Sequence, residues 1–210
     1  MQQVTRKTLG AGINLTCVTT PKFKRAVLRA MLVLPLGGED AALRACLPQV
    51  LRRGTARLND MQAFGTALDE LYGARIEAAV RKEGENLCIG FLSDCIDEAY
   101  APGADGLTAG VIGLLCDLLY DPYLQDGLFC AAYAEGERGN LIDRIAALKN
   151  DPRSWAPRRL NEIMCENEVY GKSALGTIEQ AERITLETLY AADRRALSEA
   201  QVELFYCGTM

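Results

Sequence analysis

The run Ala26-Val27-Leu28-Arg29-Ala30-Met31-Leu32-Val33-Leu34 is apolar at every position except Arg29. Near-continuous apolar character suits a strand flanked on both sides, so the segment Phe23 to Leu36 is expected at the centre of a sheet. The rest of the chain must be arranged around it. Upstream, Ile13 to Thr20 alternates apolar and polar residues after a Gly10-Ala11-Gly12 turn. It reads as a half-buried strand, expected to pair antiparallel with the central one across Pro21-Lys22. Downstream, Ala74 to Arg81 and Leu87 to Ser93 flank Lys82-Glu83-Gly84-Glu85-Asn86, the composition of a hairpin. Val202 to Cys207 reads as a last strand.

After a Gly37-Gly38-Glu39-Asp40 turn, Leu43, Cys46, Leu47, Val50 and Leu51 recur at helical spacing. Asp40 is the expected N-cap of this buried helix and Gly54 its C-terminal stop. A second helix is expected over Met61 to Leu71, capped by Asn59-Asp60, burying Phe64, Leu68 and Leu71, and stopped by Tyr72-Gly73. Leu107 to Leu119 is apolar enough to predict full burial, with Gly110 and Gly113 as places of close packing. From Asp126 to Glu168 the pattern is helical, broken at Asn150-Asp151-Pro152. The first section is expected to bury Tyr133, Leu141, Ile145 and Leu148, and the second Trp155, Leu160, Ile163 and Met164. Ile178 to Arg183 and Thr185 to Ser198 read as two more helices, with Glu187 one residue short of the ideal capping-box position. This order predicts a single α+β domain over residues 1–210, helices covering a mainly antiparallel sheet whose second face is solvated or covered by something else.

The 210 residues contain no histidine, which removes any mechanism that needs an imidazole from this chain. Cys17, Cys46, Cys88, Cys95, Cys116, Cys130, Cys165 and Cys207 sit mostly in apolar segments without a Cys-x-x-Cys pair, and read as reduced core residues. A formal charge of −5, with short arginine pairs interrupted by acids, argues against a nucleic-acid partner. No apolar run reaches the roughly 18–20 residues of a membrane span, and the start Met1 to Lys7 lacks the apolar core of a signal peptide. No membrane role and a cytoplasmic location are therefore expected.

The ending Leu47-x-x-x-Leu51-x-x-Gly54-Thr55 after a strand and a Gly/Glu turn resembles the metal-binding helix of the insulinase/pitrilysin-like metallopeptidases, which include the mitochondrial processing peptidases. Leu68-Asp69-Glu70-Leu71-Tyr72-Gly73-Ala74, Asp121-Pro122, Glu137-Arg138-x-x-Leu141-Ile142, Tyr170-Gly171, Ile184-Thr185-x-x-x-Leu189-Tyr190 and Val202-x-Leu204-x-x-x-Gly208 are similar to that family in the same order. The resemblance covers nearly the whole chain and is nearest to a bacterial branch without the metal motif. It implies His-x-x-Glu-His on the helix, and here Ala45, Pro48 and Gln49 stand at those three positions. The third ligand it implies, a Glu on a later helix, is replaced by Arg144. None of the four supplies a zinc donor or a general base. The carboxylates nearby, Glu135, Glu137 and Asp143, read as a solvated helix face, the alternative being a polar lining of the old cleft.

What the resemblance implies is a pseudo-peptidase, with no metal and no cofactor. Such a domain would be the N-terminal half of a longer two-domain chain, completing a peptide-binding clamshell with a second insulinase-like domain or a metal-bearing paralogue. Extended peptides are then expected partners, and self-association is expected of the isolated domain. The competing readings are a hydrolase with non-zinc Lys/Glu or Cys chemistry in the same cleft, and a purely structural assembly module.

Overall fold

The computed structural model describes residues 3–37, 40–101, 103 and 105–209; Gly38 and Glu39 of the expected helix-entry turn, like Met1 and Gln2, lie outside the described residues. One six-stranded sheet organises the molecule. Its strands are β1 (Gln3–Gly10), β2 (Ile13–Thr19), β3 (Arg25–Pro35), β4 (Arg75–Glu83), β5 (Asn86–Ile96) and β8 (Gln201–Gly208), in the spatial order β1-β2-β8-β3-β5-β4. A two-stranded ribbon, β6 (Leu124–Gln125) with β7 (Leu128–Phe129), stands apart from it. The helices are α1 (Ala41–Leu51), α2 (Met61–Glu70), α3 (Leu107–Tyr120), α4 (Ala131–Ala147), α5 (Pro152–Met164), α6 (Ile178–Glu182) and α7 (Leu186–Glu199). The α+β class and the mainly antiparallel sheet are as the sequence predicts, every pairing but β2 with β8 being antiparallel.

The expected pairing of β2 with β3 does not form. β8 inserts between them, parallel to β2 from Ile13↔Val202 to Thr19↔Gly208 and antiparallel to β3 from Val27↔Cys207 to Val33↔Gln201. Local pattern gives a strand's identity but not its neighbour. β1, which the sequence reading passed over, pairs with β2 at the sheet's edge; its charged and exposed Arg6 and Lys7 suit an edge and hide the strand pattern.

Register aligns Leu15, Leu204, Ala30, Phe91 and Ala78 across the sheet on the face that the helices cover. There Ala26, Leu28, Ala30, Leu32 and Leu34 of β3 are buried with Phe91, beneath Cys46, Leu47 and Val50 of α1, Val111 and Leu118 of α3 and Leu189 of α7. The opposite face aligns Thr16, Phe205, Arg29 and Leu92, and Val27, Met31 and Val33 are only half-buried on it. Apolarity on both faces of β3 therefore places it centrally, while one of the two faces stays open to solvent.

Several helical expectations change, the first being Asp40, whose side chain makes no capping hydrogen bond to α1. The stretch Asp126 to Cys130 is not helical: Asp126 and Gly127 take φ of 51° and 80° in the turn between β6 and β7, and α4 starts only at Ala131. α5 buries none of its side chains, and Leu160, Ile163 and Met164 form an exposed stripe. Full burial of α3 also fails on one side, where Ile112 and Tyr120 are exposed. That side, with β2 and β8, walls an apolar groove of about 720 Å³ whose floor includes Ile13, Leu15, Val202 and Leu204. Of the two glycines in α3, Gly110 is a close approach, a Cβ there lying 2.6 Å from Leu71, whereas Gly113 faces open space.

The tightest backbone approach in the sheet is at Gly90 in β5. Its φ is 149°, and a Cβ would lie 2.1 Å from the Ala30 carbonyl oxygen of β3. The Gly90→Ala variant should lose about 1–3 kcal/mol of stability, read as a lower urea midpoint, because backbone rather than a side-chain tip has to move.

Candidate functional site

The local fold after α1 explains why the Gly54-Thr55 ending matters. A Cβ at Gly54 would lie 2.8 Å from the Leu58 carbonyl. Thr55, fully buried, donates its N–H to that carbonyl (2.7 Å), and its hydroxyl accepts from the Leu58 N–H (3.1 Å). The Ala56 N–H donates to the Asp121 carbonyl and the Tyr123 N–H to the Gly54 carbonyl, so this turn is stitched to the residues that follow α3. The similarity at Gly54-Thr55 and at Asp121-Pro122 thus marks two halves of one junction that fixes the exit of α1.

α1 and α4 pack side by side, and between them lies a cavity of about 260 Å³ lined by Ala45, Gln49, Glu137, Asn140, Leu141 and Arg144. Three of the four degenerate positions are therefore brought together. The fourth, Pro48, is buried within α1 and takes no part in the lining. Proline there removes a carboxylate and also leaves α1 one backbone donor short.

Glu137 is the only acid among these lining residues, and it belongs to the cavity rather than to a solvated helix face. It is 7% exposed. Its Oε1 accepts from Arg53 Nε at 2.6 Å and its Oε2 from Asn140 Nδ2 at 3.2 Å. Glu135 and Asp143 are exposed and lie outside this cavity, as the solvated-face reading expects. The Arg53–Glu137 pair escaped the sequence reading because its partners are 84 residues apart. The spacing of Glu137 to Asn140, one helical turn, was the only local sign.

The cleft is poorly equipped for chemistry. Arg144 faces the cavity with a permanent positive charge where a cation would have to sit. Both oxygens of Glu137 are engaged, one by Arg53 and the other by Asn140. Cys46, on α1, has its thiol pushed up to about 12, first by burial and then by the Glu137 carboxylate, against a smaller opposing effect of Arg138. A thiol so placed stays protonated at neutral pH and is a weak nucleophile. Among the described residues no group of three His, Cys, Asp or Glu side chains is arranged to hold a metal ion. All eight cysteines are free thiols; Cys46, Cys88, Cys95 and Cys130 are buried as expected, while Cys116 is exposed.

Three outcomes follow from this geometry. Arg53→Met should destabilise the chain by about 2 kcal/mol in urea unfolding, below the usual cost of breaking a buried pair because the Arg53 side chain is 33% exposed. Brief iodoacetamide treatment of the native protein near neutral pH should label Cys116 and leave Cys46 intact, read by peptide mass spectrometry. In the Ala45→His, Pro48→Glu, Gln49→His variant, zinc affinity by competitive chelation should rise about tenfold or more when Arg144→Glu is added.

No protein-family model matches the chain. It is 32% identical over 202 residues to YmfF of Bacillus subtilis strain 168, described as a probable inactive metalloprotease, covering 96% of this chain and 47% of that protein. In structure it matches a conserved protein from Enterococcus faecalis V583 with a TM-score of 0.90 at 22% identity, covering 99% of this chain and 49% of the other. It also matches an inactive domain of peptidase M16 from Pseudomonas fluorescens, with a TM-score of 0.71 at 15% identity over 99% and 47% of the two chains. The chain spans about half the length of these relatives. With the ordered motifs, the α1–α4 cleft and its altered ligand positions, these likenesses place the chain in the insulinase-like M16 peptidase family, in a branch lacking the zinc motif.

Proposed function

We propose that this chain is a non-catalytic insulinase-like domain forming one wall of a peptide-binding chamber, completed by a second domain of the same fold or by a metal-bearing paralogue, in the cytoplasm. The observation that carries the reading is the edge strand β4, left without a strand partner on its outer side among the described residues, close to a cleft whose ligand positions are altered. β4 is the outermost strand on its side of the sheet. The turn between β4 and β5 has two residues, Gly84 and Glu85, which makes Glu83 and Asn86 a hydrogen-bonded pair. Counting back by alternation turns the backbone groups of Lys82, Val80, Ala78 and Ile76 away from β5. The Ile76 carbonyl indeed accepts from Arg52 Nε at 2.6 Å, at the end of α1, so α1 meets the strand along this edge. An extended peptide can add to the remaining groups by strand pairing, which needs no catalytic residue.

Support for a second wall comes from the apolar surface left uncovered: the groove beside α3, the α5 stripe and the half-buried open face of the sheet. Patches of this kind are uncommon on chains that act alone. The free thiols and absent disulfides suit a reducing compartment. Against the alternative of a hydrolase with Cys chemistry, the buried Cys46 thiol on α1 stays protonated.

The reading is tested with an extended-peptide library and the 210-residue chain, with and without chelator. Binding without cleavage, indifferent to chelator, is the expected result, together with concentration-dependent association in light scattering. Cleavage of the peptides would overturn it. A strict monomer without peptide affinity would favour the structural-module reading.

A further inference from the structure

At the turn end of β4 a second cavity, of about 320 Å³, opens between that strand, α5 and the loop after Gly171. Lys82, Arg158 and Lys172 bring three cations to its wall, against one carboxylate, Glu162. Glu162 is shared with Arg159 outside the cavity, at 3.0 Å, and meets Arg158 at 3.4 Å. In a chain whose formal charge is −5, this is a local reversal of sign. We infer that this cavity receives a carboxylate carried by the peptide that adds to β4, an inference that rests on the strand-addition reading above.

The site is built rather than incidental. Lys82 Nζ donates to the Tyr170 carbonyl at 2.7 Å and lies 4.3 Å from the centroid of the Tyr170 ring, which fixes the loop against the strand. Arg158 donates to the Ser173 hydroxyl and holds the far side of the same loop. Gly171 presses its backbone on the end of α5 so closely that a Cβ would lie 2.2 Å from the Cys165 carbonyl oxygen. The loop therefore presents its groups in one arrangement before any ligand arrives, which lowers the ordering cost of binding.

The chemistry selects a carboxylate. Arg158 keeps N–H groups beyond those used on Ser173 and Glu162, and a planar guanidinium suits a planar carboxylate. Burial first, and then the Arg158 charge, hold the Lys82 ammonium below its ordinary value. An incoming anion would relieve that repulsion. Position also fits, since Lys82 is the outward-facing residue next to the turn, so a peptide following the edge from Ala78 to Lys82 arrives at the cavity as the strand ends.

The test uses the 210-residue chain and fluorescein-labelled eight-residue peptides of alternating valine and threonine. They are made with a free C-terminal acid, as the C-terminal amide, and as the amide with one threonine replaced by glutamate. At least one carboxylate-bearing form should bind about tenfold more tightly than the plain amide. Which of the two does so identifies a chain terminus or an acidic side chain as the source. The Arg158→Gln, Lys172→Gln variant, which keeps Lys82 and its grip on the loop, should bring the forms within about twofold while leaving amide binding unchanged. Equal binding of all forms to the unaltered chain, or a preference that survives in the variant, would overturn the carboxylate site and leave strand addition standing. If no peptide binds, strand addition falls, and glutarate decides the cavity: saturable ¹⁵N shifts at Gly171 and Ser173 that vanish in the variant would uphold a carboxylate site, and their absence would overturn it.

Discussion

The insertion of β8 between β2 and β3 is the constraint on which the rest of the structure depends. Without it the β1–β2 pair has no bond to the other strands, because β2 otherwise pairs only with β1 and β3 only with β5. With it, Leu15 and Leu204 continue the apolar row begun by Ala30 and Phe91, and a single apolar face runs from beneath the helices out to the floor of the groove beside α3. The helical layer then inherits its geometry from that face. α1 lies where β3, β4 and β5 are buried, α4 packs on α1, and the cleft between these two helices is set by the sheet beneath rather than by either helix alone.

That cleft shows how a site can lose its chemistry and keep its architecture. The positions that matter still converge, Ala45 and Gln49 on α1 with Arg144 on α4, yet the charge balance is reversed. The remaining acid, Glu137, is held by Arg53 and Asn140 in a partly buried network. A pair of this kind is weak evidence for net stability but strong evidence against a free carboxylate, since breaking either side leaves a buried charge without its partner. The cavity thus carries the permanent charge of Arg144 on its wall and is still open in shape.

The elements most legible in the sequence were those decided within a few residues. The hairpin at Gly84-Glu85, the capped start of α2 at Asp60 and the buried stripe of α1 came from local periodicity and capping chemistry. What was not legible was decided at a distance. The neighbour of β2 is nearly two hundred residues away in sequence, and the burial of Glu137 depends on an arginine on another helix's exit. The apolar stripe of α5 was read correctly as a pattern and wrongly as core, because Leu160, Ile163 and Met164 face solvent in this chain. Pattern reports that a surface is apolar; only the fold says what lies against it.

The late arrival of β8 also shapes how the molecule acquires its structure. During synthesis from the N-terminus, β1 with β2 and β3 with β5 and β4 can pair before β8 exists, because all five strands lie within residues 3–96, although only the β1–β2 and β4–β5 pairings are local. The two sets remain separate until Gln201 to Gly208 has emerged, and for that interval the facing edges of β2 and β3 each carry a row of unsatisfied backbone groups. The rate of sheet closure is then governed by a long-range search, and the half-formed sheets are exposed to pairing with other chains while it lasts. Chaperone dependence of a nascent chain like this one would have its physical origin in the topology of a single strand.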